Sequence, residues 1–299
     1  MEEIINIEND FVNTRIDRWI KKKFNMIPQN FIEKSLRLGK IKVNKIKVKS
    51  SYRLKHKDKI YLFNFKPTNT NIHKKKIFLP SSKELSNLEK LIIENNEDFI
   101  VINKPYGLPV QGGTRSYKNL VDLLSKSEIF VNTKPYIVHR IDKETSGILL
   151  IAKTREYAQL FTSLFRLRKI HKEYLGICHG ELQKDTGKIN YKLVRYEKNK
   201  KIEENAETYF NVIDKTSLCT FLSLKPITGR KHQLRKHLSL IGHPIYGDKK
   251  YNYITKNKSN LLLHSFSIKF LINGKKYNYK AHLPDYFIKM LKIKKLSLK

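Results

Sequence analysis

Residues 138–154 read VHRIDKETSGILLIAKT. Six polar or ionisable residues (His139, Arg140, Asp142, Lys143, Thr145, Ser146) crowd against Ile148-Leu149-Leu150-Ile151. A run apolar at every position reads as a strand buried on both faces, here Gly147 to Ala152. The residues before it then lie at the strand's edge, where a loop presents side chains from a rigid scaffold. A carboxylate at such an edge is partly desolvated, so Asp142 needs either water or a cation beside it. After the strand, Thr154 stands at the N-cap position of a helix whose apolar face runs Tyr157, Ala158, Phe161, Leu164, Phe165.

Two further stretches have the same character. In 98–113, DFIVINKPYGLPVQGG, Phe99 to Ile102 is a second buried strand, and Lys104-Pro105-Tyr106-Gly107 turns the chain at its end, with Gly107 able to take a positive φ. Taken alone, this turn is equally well explained as structural. In 226–248, PITGRKHQLRKHLSLIGHPIYGD, helical spacing aligns Leu234, Leu238 and Ile241, sets His232 and Arg235 on an adjacent face, and makes Gly242 the stop. The amides opening that helix, with Arg230 and Lys231, are expected to form an anion site. His232, His237 and His243 are spaced by five and six with no fixed carboxylate companion, which argues against a metal site.

The N-terminal part is a separate module over residues 14–62. Ile16, Trp19, Ile20 and Phe24 recur at helical spacing; Pro28 opens a second helix through Ile32, Leu36 and Leu38, which Gly39 terminates. KIKVNKIKVKS then alternates apolar and basic residues about Asn44, predicting a short hairpin with one positive face. The module holds sixteen Lys and Arg against Asp17, Glu33 and Asp58. Basic residues fall on the polar face of every element, so a phosphate-backbone binder is the sharper reading and a solvated surface the plainer one. Residues 63–90, with Pro67, Thr68, Asn69, Lys74-Lys75-Lys76 and Pro80, have linker composition. Residues 196–205, YEKNKKIEEN, suit a loop or hairpin tip, and 291–299 a basic tail.

Composition limits the function classes. A hydrophobic content of 40% suffices for a packed core, and a formal charge of +34 points to a polyanionic partner, nucleic acid above all. The enrichment in Lys, Ile, Asn and Tyr together discounts the charge somewhat, since whole-proteome drift produces the same bias. MEEIINIEND does not read as a secretory signal and no apolar run reaches membrane-spanning length, so a cytoplasmic protein is expected. Cys178 and Cys219 are too few for a disulfide framework or a zinc site and read as small core residues.

Lys104-Pro105 with Gly107, HRIDKETSGILLIAK, KEYLGICHG (172–180) and ITGRKHQLRKHLSLIGHPIYGD together resemble, in order and over roughly residues 91–285, the signature blocks of the RluA family of pseudouridine synthases. Ile141 replaces the family's usual Leu, a volume-conserving exchange. IEKSLRLGKIKVNKIKVK resembles the S4 RNA-binding domain, and an S4 module in front with QGGT after the first block leans toward the RluC type, which modifies 23S ribosomal RNA.

The resemblance implies an α+β chain: a small S4-like domain at 14–62, a linker at 63–90, and a catalytic domain at 91–290 built on a mixed, mainly antiparallel sheet with flanking helices and a central basic cleft. It implies uracil detached at N1, rotated and rejoined through C5, without a cofactor or metal. Asp142 is then the essential carboxylate, as nucleophile or as base. Arg235 is its cation, and Tyr174 packs on the base. Arg140 is expected to fill the gap left by a flipped base. Lys104, Arg230, His232, Arg37, Lys40 and Lys42 complete the expected RNA contacts, while Thr145 and Ser146 brace the loop. The implied partner is 23S ribosomal RNA or a pre-50S particle, with no membrane, and the implied state a monomer. A noncatalytic RNA-binding or ribosome-assembly protein, a synthase acting on another RNA such as tRNA, and a metal-dependent nuclease on the histidines are the alternatives.

Overall fold

The computed structural model describes residues 2–8, 11–24, 27–65, 79–112, 118–197, 200–254 and 259–298. The chain divides into two compact units, Met1–Lys75 and Lys76–Lys299.

The first unit contains β1 (Glu2–Asn6), α1 (Ile16–Lys23), α2 (Gln29–Arg37), β2 (Ile41–Val43) and β3 (Lys59–Phe63), with sheet order β1-β3-β2. Both helices form where their periodicity predicts; Pro28 precedes α2 and Gly39, at φ +73°, ends it. Ile16, Trp19, Ile20, Ile32, Leu36, Ile41 and Ile60 close one core. Burying each such side chain contributes roughly 1.5–3 kcal/mol. The hairpin expected in KIKVNKIKVKS is only half formed. Asn44 and Lys45 make a tight positive-φ turn, but Val43↔Ile46 is a single bridge, and β2 pairs instead with β3. Nor is the unit confined to 14–62, since β1 adds an antiparallel strand to β3. Asp17 and Asp58 turn inward: Asp17 accepts from Arg15, Gln29 and the Arg18 amide, and Asp58 from Asn44, Tyr52 and the Lys55 amide. Two of the module's three carboxylates are thereby withdrawn from its surface.

The second unit runs α3 (Ser82–Glu89), β4 (Ile92–Asn95), β5 (Phe99–Lys104), α4 (Leu120–Leu124), β6 (Tyr136–Ile137), β7 (Ser146–Ala152), α5 (Arg155–Arg166), β8 (His171–His179), β9 (Thr186–Glu197), β10 (Lys200–Thr216), β11 (Cys219–Pro226), α6 (Gln233–Leu240), β12 (Leu263–Ile272), β13 (Lys275–Lys280) and α7 (Asp285–Ile293). Its sheet has the order β4-β5-β7-β12-β8-β11-β10-β9, with β13 on β12 and β6 on β7. Only β7–β12 is parallel, so the sheet is mixed and mainly antiparallel, as expected.

Every residue of β7 is buried. Leu149 and Ile151 enter one apolar cluster with Ile100 and Ile102, whereas Ile148 and Leu150 enter the opposite one with Phe99, Val101 and Phe161 of α5. That two-sided burial is what the unbroken apolar run requires. Thr154 caps α5, its hydroxyl accepting from the Tyr157 amide at 3.2 Å.

Two expected boundaries need correction, and a third segment forms the hairpin end that was one of its two expected forms. The linker does not extend to residue 90: Ser81 and Glu84 form a capping box for α3, and Leu88 is core. The Lys74–Lys76 run and Pro67 to Asn69 lie outside the described residues. Residues 291–298 are not a loose tail, because Leu291 and Leu296 are buried and Ser297 donates to Asp214. The charged segment 196–205 is the end of a hairpin whose strands continue to Glu197 and from Lys200. Among the described residues no helix is long and apolar enough to cross a membrane.

Candidate active site

The loop before β7 is held from beneath by the end of β5. Lys104 opposes Gly147 in the ladder, and the Gly107 amide donates to the Lys143 carbonyl at 2.9 Å. Lys104, expected to contact RNA, is fully buried instead: its Nζ donates to the carbonyls of Pro105, Leu108 and Lys143 at 2.9, 2.9 and 3.2 Å. Desolvation brings its pKa down to about 7, against the raising effect of Asp142 and Glu144. This lysine is a strut under the loop and has no atom left for RNA.

Further bonds lock the loop. The Thr145 amide donates to the Asp142 carbonyl at 3.1 Å. Ser146 shares hydrogen bonds with His264 Nδ1 (2.9 Å) and Tyr286 OH (3.0 Å), joining β7 to β12 and α7, so it braces as expected. His139 Nε2 accepts from the Leu150 amide at 2.9 Å, and desolvation pushes its pKa down to about 3. A neutral His139 is therefore part of the scaffold.

The Asp142 side chain stays 22% exposed and faces α6. Arg235 Nη1 lies 3.4 Å from Asp142 Oδ2 and 3.6 Å from Glu144, while His232 Nε2 lies 3.7 Å from Asp142 Oδ1. The expected cation is thus in place, but its main partner is another residue. Asp248, with a fully buried side chain, accepts from Arg235 Nε at 2.7 Å and Nη2 at 2.8 Å, and from the Lys250 and Tyr251 amides. Burial opposes both charges, yet the mutual hydrogen bonds win: Asp248 is held below the usual carboxylate range and Arg235 above the usual guanidinium value. The Tyr251 ring lies 5.3 Å from the Arg235 guanidinium, and its hydroxyl shares a hydrogen bond with His232 Nδ1. Desolvation lowers the His232 pKa, leaving a mostly neutral imidazole at pH 7.

Asp142, Arg140, Tyr174, His232 and Arg235 line one cavity of about 550 Å³ together with Arg166, Arg168, Lys172 and Arg230. Such a volume lies within the roughly 300–1,000 Å³ of ligand pockets. Arg140 is exposed at its mouth. Tyr174 sits in its wall, and desolvation pushes its phenol up to about 12, so it enters any chemistry at neutral pH as the neutral group. Arg230 is not a free cation, since it is paired with Glu204 at 2.9 Å and bonded to the Asn205 carbonyl. His232 is left-handed (φ 54°), and the Arg230 amide, one of those expected to form an anion site at the start of α6, is taken by the Gln233 side chain. Arg37, Lys40 and Lys42 belong to the first unit; the first two are exposed, and the Lys42 ammonium lies over Phe63. His232, His237 and His243 each bond a different partner (Tyr251, Thr208 and the His179 carbonyl), and among the described residues no group of three metal-ligating side chains assembles.

Sequence reasoning missed Asp248, Glu144, Tyr251 and Lys172. Asp248 closes the block ending in HPIYGD, where a carboxylate after a glycine turn was the available signal.

Residues 98–240 match the family described as RNA pseudouridylate synthase. The ribosomal large subunit pseudouridine synthase C of Buchnera aphidicola subsp. Schizaphis graminum is 35% identical over 95% of both chains. The chain belongs to the RNA pseudouridylate synthase family, in its RluA branch. The synthase of the same name from Vibrio parahaemolyticus is 31% identical over 90% of this chain and 88% of its own. Among solved structures, human RNA pseudouridylate synthase domain containing 4 has a TM-score of 0.62 at 27% identity, over 71% of this chain and 96% of that one. The enzyme's sheet and flanking helices are therefore those of a pseudouridine synthase.

Proposed function

We propose that this enzyme isomerises specific uridines of large-subunit (23S) ribosomal RNA; the names of its bacterial relatives, ribosomal large subunit pseudouridine synthase C, support this reading. The observation that carries the chemistry is the Asp142 carboxylate, fixed at the mouth of a cavity that also holds Arg140 and Tyr174, with Arg235 3.4 Å away. A carboxylate rigidly held beside a guanidinium is aimed, as attack on the ribose or removal of one of its protons requires. The N1–C1′ bond breaks, uracil leaves as an anion, and C5 forms the new bond to C1′; the C5 proton passes to solvent and N1 regains one. Tyr174 packs on the rotating base. Arg140, exposed and planar, occupies the stack that the uridine leaves.

The first unit acts as an S4-like RNA-binding domain. Its inward-turned Asp17 and Asp58 leave a surface dominated by lysine and arginine, Arg37, Lys40 and Lys42 among them, suited to phosphate contacts of low sequence specificity. The cavity lined by Arg140, Arg166, Arg168 and Lys172 serves as the basic cleft of the catalytic unit. The enzyme works as a single chain in the cytoplasm, on ribosomal RNA or the precursor particle. Release of tritium from ribosomal RNA labelled at uridine C5 tests the reading. Release is expected; binding without release identifies a noncatalytic RNA-binding protein.

A further inference from the structure

Strands β8 and β11 form an antiparallel ladder only as far as Tyr174↔Leu224. Ahead of that pair they part. His171, Lys172 and Glu173 remain paired with β12 through Lys269, Ile268 and Ser267, whereas Lys225 and Pro226 remain with Tyr209 and Thr208 of β10. A fork therefore opens in the middle of the sheet, directly beside Tyr174. It holds a cavity of about 390 Å³ whose wall shares Arg168, Lys172, Pro226 and Ile227 with the catalytic cavity.

The fork's chemistry is that of an anion site. Arg168, Lys172, Lys225 and Lys269 face it, and among the described residues none of the four stands within ion-pair distance of a carboxylate. Nearby cations of the same unit are neutralised, Lys188 by Glu207, Lys215 by Asp185 and Arg230 by Glu204. The one carboxylate in the wall, Glu173, is engaged by two hydroxyls, accepting from Ser223 at 2.6 Å and Ser267 at 3.1 Å. Desolvation already holds the Lys172 ammonium below its ordinary pKa, a cost that a phosphate would offset. Tyr209, exposed at the rim, supplies a ring on which a base can stack.

We propose that this fork is a subsite for the RNA strand, taking the phosphodiester and nucleotide adjacent to the uridine held in the catalytic cavity. The inference rests on the RNA-substrate reading above and deepens it, assigning Lys225 and Lys269 as phosphate contacts.

The test uses the full chain and its Lys225→Ala/Lys269→Ala and Lys225→Arg/Lys269→Arg variants. Binding is measured across salt concentrations to a uridine-centred single-stranded oligoribonucleotide and to uridine alone. Each phosphate that is no longer neutralised lowers the slope of log Kobs against log salt by about 0.7, so the alanine pair, which strips the one phosphodiester of the fork of both lysines, is expected to lower it by about 0.7 on the oligonucleotide. It should bind uridine alone as the wild type does, and the arginine pair should keep the wild-type slope. An unchanged slope in the alanine pair overturns the subsite, and so does an equal weakening on uridine alone, which indicates a damaged cavity. The substrate reading fails separately: if the wild-type chain releases no tritium from C5-labelled ribosomal RNA, that reading falls and the subsite with it, whatever the slopes.

Discussion

Asp248 takes two nitrogens of Arg235, Nε at 2.7 Å and Nη2 at 2.8 Å, and leaves Nη1 pointing at Asp142 3.4 Å away. The guanidinium is a planar fork, so fixing one edge fixes the direction of the other. Asp248 itself is anchored by the Lys250 and Tyr251 amides. It acts on Asp142 through Arg235 and is a positioning residue. Asp248→Asn keeps the volume but loses the bidentate charge pair; kcat is expected to fall about a hundredfold with KM within a few-fold, since misplacing a reacting group by about an ångström has that effect. Asp248→Ala leaves the buried Arg235 without its main partner, only Asp142 and Glu144 remaining at 3.4 and 3.6 Å, and is expected to destabilise by up to about 3–5 kcal/mol. Steady-state kinetics and denaturant unfolding read the two effects separately.

Asp142→Asn is expected to abolish tritium release while leaving RNA affinity within a few-fold, because affinity is spread over many phosphate contacts. Turnover near the wild-type rate would remove Asp142 from the chemistry.

Gly147 stands where β7 runs parallel to β12, at φ +104°, and a Cβ there would lie 2.2 Å from the Ser265 carbonyl oxygen. Neither the backbone angle nor the neighbouring strand can yield cheaply. Gly147→Ala is expected to cost at least about 2–3 kcal/mol in unfolding free energy and to displace the loop bearing Asp142. A melting temperature equal to that of the wild type would show that β7 and β12 can separate here.

Acid should weaken the fold through buried neutral histidines. His237 and His264 are fully buried, and desolvation lowers both to about 4; His139 is lowered to about 3. Unfolded, all three titrate near pH 6.5. Between those values the unfolded chain binds more protons than the folded one, so stability rises with pH across this window and is lost as pH falls from about 6.5 toward 4. Each group contributes about 1.4 kcal/mol per unit separating its two pKa values. His264→Gln should flatten the dependence of unfolding free energy on pH over this window; an unchanged slope would mean that this imidazole charges without unfolding.

How much of this was legible follows from the range of the interactions. The two-sided strand at Ile148–Ile151 and the cap at Thr154 are local or periodic, and sequence carries them; the pairing of Asp142 with Arg235 spans 93 residues and was implied only by the family resemblance. Lys104 misled because a lysine after an apolar run reads as exposed; the three carbonyls that bury it come from a turn and from a loop 39 residues away. Asp248 was missed because its pairing with Arg235 spans 13 residues across a non-helical turn. The hairpin in KIKVNKIKVKS had the right turn, but β3, a later segment, competed for β2 and won. Likewise α3 was hidden in linker-like composition, its capping box Ser81/Glu84 being the overlooked signal.

The first unit provides the last prediction. Arg37, Lys40 and Lys42 follow one another from the end of α2 into β2, and two of the three carboxylates of that module are spent internally on Arg15, Gln29, Asn44 and Tyr52. Reversing charge there removes attraction and changes no residue that lines the cavity with Asp142. Lys40→Glu/Arg37→Glu is therefore expected to weaken binding to ribosomal RNA at low salt by at least about tenfold and to reduce the salt slope by about 0.7–0.9 for each phosphate that the variant no longer neutralises. Because both side chains are exposed, unfolding free energy should stay within about 0.5 kcal/mol of the wild type. Affinity unchanged across salt concentrations would mean that the RNA does not touch this face, and the charge of the module would then need another partner.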